Sequence, residues 1–555
     1  METEDRKKSN DSSEGVDGVP APEGAANLID TDYTIGQDNY TRRIAGIEID
    51  LHGKVFSISS VAILFFVIIT LALQNQVAPV FQGIFDYLTQ NLSWVFLLGT
   101  NVFLILCIVL IFTPLSRVRL GGADATPDFS YLGWFSMLFA AGMGIGLMFY
   151  GVSEPVTHYG TAIEGTTIED GARTDWAPLG GAEGDQQGAQ RLAMSASILH
   201  YGLHPWAMYA VVALALGLFS FNKGLPLTVR SIFYPILGER VWGWPGHIVD
   251  ILAVFATLFG LATSLGLGAS QASAGLSHLF GIPNGDATKV FLIMGITAVA
   301  LGSIVLGVDK GVRRLSEVNL VLAAMLLLFV ILVGPTLLIA TDFFKNLVAY
   351  LGYLPQLSNP FGREDANYSQ GWTAFYYAWW IAWSPFVGMF IARVSRGRSV
   401  REFLIAVLLI PSTISILWMT AMGGTALELY LGEGVQSIKD SALELQLFMM
   451  LEELPLAAIT SFIGITLVIV FFITSSDSGS LVIDTITAGG KVDAPRSQRI
   501  FWAIIEGAIA IALLLGGGLE ALQAMAVSFG LPFTLILLVG CFAIVKGLMS
   551  EPRSV

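Results

Sequence analysis

Stretches of about twenty residues with hardly a charge recur along the whole chain, and nothing else constrains its fold as strongly. A helix needs roughly 20 apolar residues to cross a bilayer. Twelve segments reach that length, at about 55–75, 93–114, 131–151, 192–218, 247–275, 289–307, 318–340, 372–392, 403–423, 457–485, 498–517 and 520–545. Backbone polar groups in lipid must be paired within the protein, so spanning segments are helices or the strands of a closed barrel. Barrel strands would alternate apolar and polar residues over about ten positions, and no such alternation is present. The expected fold is therefore an all-α polytopic membrane protein with twelve transmembrane helices. A composition of 54% hydrophobic and 13% charged residues among 555 agrees with it, and no nucleic-acid partner is expected.

Lys and Arg gather in the cytoplasmic loops of membrane proteins. The loops after even-numbered spans hold fifteen, from Arg117 and Arg119 to Lys491, Arg496 and Arg499; those after odd-numbered spans hold six. Both termini are accordingly expected in the cytoplasm of a multi-pass cell-membrane protein. No cleavable signal is expected before the first span, since residues 1–50 are polar. Cys107 and Cys541 both fall within spans, which indicates neither a disulfide framework nor a metal site. Residues 1–50 carry twelve acids and five bases and are expected to be a disordered, acidic tail, a regulatory arm docked on basic loops being the lesser reading. The rest divides into two leading helices (51–130), a first repeat (131–340), an amphipathic helix and loop on the outer surface (341–370), a second repeat (371–546) and a short cytoplasmic tail (547–555).

Two five-helix repeats, spans 3–7 and 8–12, are read from features at matched positions. Both open with Gly-Trp, at Gly133-Trp134 and Gly371-Trp372, and both include a long span bearing a Thr-Ser pair, Thr263-Ser264 and Thr474-Ser475. Five is odd, so the repeats are inverted. Transporters built in this way hold substrate and ions near the midplane, where helices are interrupted.

Span 3 has the needed irregularity, with Gly142, Gly144, Gly146 and Gly151 inside an otherwise lipid-soluble helix. Such glycines either expose main chain to a cavity or ligand, or serve close packing, as the small-xxx-small pair Gly142 and Gly146 would. Span 8 sets Trp379, Trp380 and Trp383 at depth, followed by Pro385, and span 4 adds His200, Tyr201, His204, Trp206 and Tyr209. Tryptophan ordinarily gathers at the membrane interfaces, so this ensemble reads as an aromatic box. Ring faces attract quaternary ammonium at about 0.5–2 kcal/mol each. No carboxylate lies at the centres of spans 3, 4 or 8, since Glu154 is beyond the glycine run. The expected ligand is therefore a small osmolyte, a zwitterion before a lone cation, whose carboxylate meets N–H groups freed along Gly142, Met143, Gly144 and Gly146, with Ser264 as a further contact. Thr474 and Ser475 offer the hard oxygens that alkali cations prefer, although such hydroxyls commonly bond back to their own helix. Asp477 reads equally as a functional carboxylate or as the helix-end partner of an arginine.

These stretches resemble the betaine/choline/carnitine transporter family. Gly142-Met-Gly-Ile-Gly146 is similar to its glycine signature, and the run from Trp379 to Arg398 to its span-8 signature. Asp309-Lys-Gly-Val-Arg-Arg-Leu-Ser316 and Thr474-Ser-Ser-Asp-Ser-Gly479 match as well. The resemblance covers about residues 50–548. It implies a leucine-transporter-like 5+5 inverted-repeat fold with two additional N-terminal helices, as a homotrimer in the lipid bilayer. It further implies that Trp206, Tyr209, Trp379, Trp380 and Trp383 form the box and its access path. Sodium, the coupling ion, would sit on the carbonyls of Ala140, Met143 and Phe471 and the hydroxyls of Thr474 and Ser475. No other cofactor is implied. Tyr201 stands where betaine carriers usually have another tryptophan. Of the two span-5 threonines of the family's second sodium site only Thr257 is present, with Leu261 one turn later. The function expected is sodium-coupled symport of a betaine-type compatible solute for osmoprotection. A proton-coupled carrier or exchanger of choline or carnitine is the alternative, followed by a membrane sensor or channel.

Overall fold

The computed structural model describes residues 20–44, 47–142, 144–165, 167–169, 172–174, 177–306, 309–492 and 494–553. The principal helices are α1 (Gly53–Ala72), α2 (Gln74–Phe112), α3 (Tyr131–Gly142), α4 (Ile145–Glu164), α5 (Gln186–Leu199), α6 (Leu203–Gly217), α7 (Trp244–Phe280), α8 (Asp286–Leu306), α9 (Asp309–Val333), α10 (Thr336–Leu357), α11 (Ala374–Val394), α12 (Val400–Gly432), α13 (Ala457–Thr487) and α14 (Arg496–Met549). The fold is that of an all-α polytopic membrane protein, each helix satisfying its own backbone as lipid requires.

Among the described residues ten helices are long and apolar enough to cross a membrane, or eleven when the bent pair α3–α4 is taken as one span. The reasons this differs from twelve are local. Span 8 folds as α11, but its tryptophans and tyrosines keep it out of the purely apolar class. Spans 11 and 12 follow one another within the 54 residues of α14, broken by non-helical backbone at Gly517 and Gly518. The helix expected to lie along the outer surface starts at Thr336 and is itself apolar enough to be included.

Two of the expected spans are interrupted. Span 3 divides into α3 and α4, bent by 60°, and the backbone of Gly144 is extended. Span 4 divides into α5 and α6 through His200, Tyr201 and the non-helical Gly202. Helices α6 and α7 hold α11 between them, while α4 contacts α5, α7 and α12. Small residues permit that proximity: a β-carbon on Gly388 of α11 would lie 2.6 Å from the side chain of Val212 in α6.

Residues 20–44 and 47–50 correct the expectation of a disordered tail. Two strands, β1 (Asn39–Ile44) and β2 (Ile47–His52), pair antiparallel. Tyr33 stacks on Trp242 at 4.2 Å between ring centroids and accepts a hydrogen bond from Arg230 at 2.8 Å. Asp50 pairs with Lys491 at 2.6 Å. Glu23 reaches Arg396 at 2.6 Å, and that guanidinium holds its carboxyl below the usual carboxylate range. Two of the acids counted as a repulsive tail, Glu23 and Asp50, thus have basic partners in loops far along the sequence. At the other end Glu551 is buried against Lys223, their charged atoms 2.5 Å apart.

Candidate functional site

The ends of α3 and α4 meet where span 3 breaks. The first N–H groups of any helix and its last C=O groups lack partners within the helix, and the aligned peptide dipoles favour an anion at the start and a cation at the end. One interruption thus creates two complementary sites on main chain alone.

The start of α4 opens on a cavity with about 510 Å³ of atom-free space. Ile145, Gly146 and Leu147 line it together with Gly142 and Gly144. Tyr201, Tyr209, Ser264, Trp379, Trp380, Trp383 and Phe471 form the facing wall. Trp380 is its central ring, 5.0 Å from Tyr209 and 5.9 Å from Tyr201 between centroids. The wall is fixed from outside. Trp379 donates its indole N–H to the Ser264 hydroxyl at 3.0 Å, Ser264 donates to the Gly260 carbonyl at 3.1 Å, and Trp383 donates to that same carbonyl at 2.9 Å. Gly146 admits the phenol of Tyr201, since a β-carbon there would lie 3.0 Å from the ring.

A second cavity adjoins the first. Ala141, Gly144, Trp383, Val387 and Phe471 line both. Ala140 lines the second, at the carbonyl-rich end of α3, with Thr474, Ser475, Ser316 and Asn319. Four of the five residues expected around sodium therefore face one space; the fifth, Met143, lies outside the described residues, as it does for its expected solute contact. The Thr474 hydroxyl turns back on its own helix, 2.9 Å from the Phe471 carbonyl and 3.2 Å from that of Val470. A hydroxyl that donates in this way keeps its oxygen lone pairs free to accept.

The structure places three further residues. Trp206 does not line the aromatic cavity; it stands behind it, edge-on to Trp380 at 5.9 Å and 3.3 Å from where a β-carbon on Gly142 would be. Thr257 is apart from both cavities, fully buried, with its hydroxyl on the Ala253 carbonyl at 2.8 Å. Asp477 pairs with Arg499 at 2.8 Å, the structural one of its two readings.

Glu154 is the polar group that sequence reasoning missed. Fully buried in α4, its carboxylate accepts from Tyr376 at 2.7 Å, and meets ring nitrogens of His200 at 2.5 Å and His158 at 3.1 Å. Only His158, four residues along the same helix, was a signal available from spacing. His204 bridges instead to Asn101 at 2.9 Å.

A broken helix opening on a ring-walled cavity inside a membrane bundle is the architecture of a solute transporter rather than of an enzyme. Comparison with known proteins gives the family. The sequence profile of the BCCT, betaine/carnitine/choline family transporter, matches residues 54–553, and the chain belongs to that family. It is 63% identical over 542 residues to a glycine betaine/proline/choline transporter of Vibrio parahaemolyticus, covering 98% of both chains. It is 50% identical to glycine betaine transporter 1 of the same organism, over 94% of this chain and 97% of that one. With glycine betaine transporter OpuD of Bacillus subtilis it shares 41% identity, over 90% of this chain and 94% of the other.

Proposed function

We propose that this protein imports a betaine-type compatible solute by sodium-coupled symport, with alternating access, for osmoprotection. The observation that carries the reading is the juxtaposition at the span-3 break. The start of α4 faces a cavity walled by aromatic rings, and the end of α3 lies beside a cavity lined by Thr474 and Ser475. A zwitterion needs both an anion site and a place for methylated ammonium, and the first cavity offers main-chain N–H groups opposite indole and phenol faces. A sodium ion needs hard oxygens, which the second cavity gathers around the carbonyl end of α3. Residues shared between the two cavities would let occupancy of one alter the other, the minimum that coupling requires.

The energetics are adequate. A potential of about 100 mV supplies roughly 2.3 kcal/mol per charge, and about 1.4 kcal/mol corresponds to tenfold. One sodium ion therefore supports on the order of fiftyfold accumulation before its own gradient is counted. The names of the relatives, which include betaine, proline and choline, support the same solute class. Further parts of the proposal are cytoplasmic termini, twelve spans in inverted repeats and a homotrimeric assembly.

The deciding experiment is uptake by proteoliposomes of betaine, ectoine, a sulfonium betaine, carnitine and choline, with and without a sodium gradient. Accumulation of betaine only under inward sodium supports the proposal. The contact of His200 with Glu154 favours a second reading, proton-coupled transport. Uptake that persists without sodium and collapses with the pH gradient would select it.

A further inference from the structure

One polar side chain on the wall of the aromatic cavity has its orientation imposed from behind. Tyr201 lines the cavity, with its ring edge-on to Trp380 and its hydroxyl oxygen 3.1 Å from where a β-carbon on Gly146 would lie. That hydroxyl donates to the hydroxyl of Tyr376 at 3.1 Å, and Tyr376 donates to Glu154 Oε2 at 2.7 Å. The other carboxylate oxygen of Glu154 takes His200 Nδ1 and His158 Nε2. His200 lies flat on Tyr376, with 4.4 Å between centroids and 13° between planes, and its second nitrogen is 3.0 Å from the Thr373 hydroxyl. All of these groups are buried.

A phenol carries a single proton, and an ionised carboxylate can only accept. Tyr376 gives its one proton to Glu154 and can therefore serve Tyr201 only as an acceptor, the direction in which the Tyr201 hydroxyl bonds it. Tyr201 in turn directs its proton into the protein. What it retains for the cavity is oxygen lone-pair density, close to the ring faces that would hold an ammonium group.

We propose that the Glu154–Tyr376–Tyr201 relay makes Tyr201 an acceptor-only wall group, so that an ammonium solute that keeps an N–H bond gains a contact there that a fully methylated one does not. A fully methylated ammonium has no such proton and gains only ring-face attraction. A tertiary or secondary ammonium can also donate to the Tyr201 oxygen, and hydrogen bonds with an ionised partner are roughly twice as strong as neutral ones. The inference rests on the reading of this cavity as the solute site. Tyr201 is the group that would touch the solute; Tyr376 and Glu154 are positioning residues.

Glycine betaine and N,N-dimethylglycine make the test, because they differ by one methyl group against one N–H and both are zwitterions at pH 7. The readout is the ratio of their Kd values, from quenching of intrinsic tryptophan fluorescence in the purified full-length protein. Tyr201→Phe is expected to shift the ratio about tenfold against dimethylglycine, the order expected for losing one charge-assisted hydrogen bond. Tyr376→Phe frees the Tyr201 proton to turn towards the cavity and is expected to shift the ratio the same way. A ratio unmoved in Tyr201→Phe overturns the proposal. Should that variant not fold, an unmoved ratio in Tyr376→Phe overturns it alone. Wild-type protein that binds neither solute removes the solute-site reading itself, and this inference with it, before any variant is compared.

Discussion

Trp383 donates its indole N–H to the carbonyl oxygen of Gly260 at 2.9 Å, and a β-carbon on Gly260 would lie 3.0 Å from the same ring. Ser264, which holds Trp379, also bonds that carbonyl. Two wall rings of the aromatic cavity thus depend on one backbone atom of α7 and on the absence of a side chain beside it. Filling the contact must move α11, since the backbone carbon of Ala382 is only 3.2 Å from the added atom. Overpacking of this kind costs about 1–3 kcal/mol. Gly260→Val is expected to raise the KM for betaine uptake about tenfold or more while the protein still reaches the membrane. Gly260→Ala is expected to fall between Val and wild type. Uptake kinetics normalised to surface protein decide it, and an unchanged KM in Gly260→Val refutes the dependence.

Trp380 is the wall ring that touches two others, Tyr201 and Tyr209, with Trp206 edge-on behind it. A desolvated cation–π contact is worth about 0.5–2 kcal/mol. Trp380→Leu keeps the apolar bulk and removes the π face, so betaine affinity is expected to weaken up to about thirtyfold. Trp380→Phe retains a ring and is expected to lose less. Equal losses in the two variants would mean that shape, and not the ring face, is what the ligand reads.

How much of this was legible beforehand depends on the range over which each signal acts. The break in span 3 was visible because glycine clustering is a local property, and the spacing of Trp379, Trp380 and Trp383 put them on neighbouring faces of one helix. Trp206 was misplaced for the complementary reason. Spacing on α6 places it near Tyr209, but which of the two reaches the cavity is decided by Gly142 on another helix. Glu154 could not be read as a hub, because Tyr376 and His200 lie 222 and 46 residues away. The tail was misjudged from composition alone: acids that look repulsive in isolation find Arg396 and Lys491 in distant loops.

Thr474 tests the ion site. Its hydroxyl lines the second cavity close to Ser475 and the Phe471 carbonyl. Removing one hard oxygen from a small set of ligands to an alkali cation weakens that cation selectively. Thr474→Ala is expected to raise the sodium concentration for half-maximal uptake by about tenfold, equivalent to about 1.4 kcal/mol. Thr474→Ser, which restores the hydroxyl, is expected to return it towards wild type. Sodium titrations of uptake at fixed betaine give the answer; an unaltered sodium response in Thr474→Ala excludes the residue from the site.

His52 predicts an acid sensitivity that belongs to the fold and not to transport. It ends β2 and caps α1, accepting the N–H of Val55 on Nδ1 at 3.2 Å. Burial first, then the nearby charges of Arg230 and of His247 when protonated, hold its imidazole down to about 3, although Asp38 lies 3.6 Å away. In the unfolded chain the same group titrates near 6.5. Between those values the unfolded state binds a proton that the folded state refuses, so stability falls as pH drops. The contribution is complete above about pH 6.5, declines through the window and changes no further below about pH 3. Over the first 1.5 units or so it is on the order of 2 kcal/mol. Asparagine can cap the helix without titrating, so His52→Asn is expected to lose less Tm than wild type when detergent-solubilised protein is taken from pH 7 to pH 5. Parallel losses in the two proteins would show that the proton is refused elsewhere.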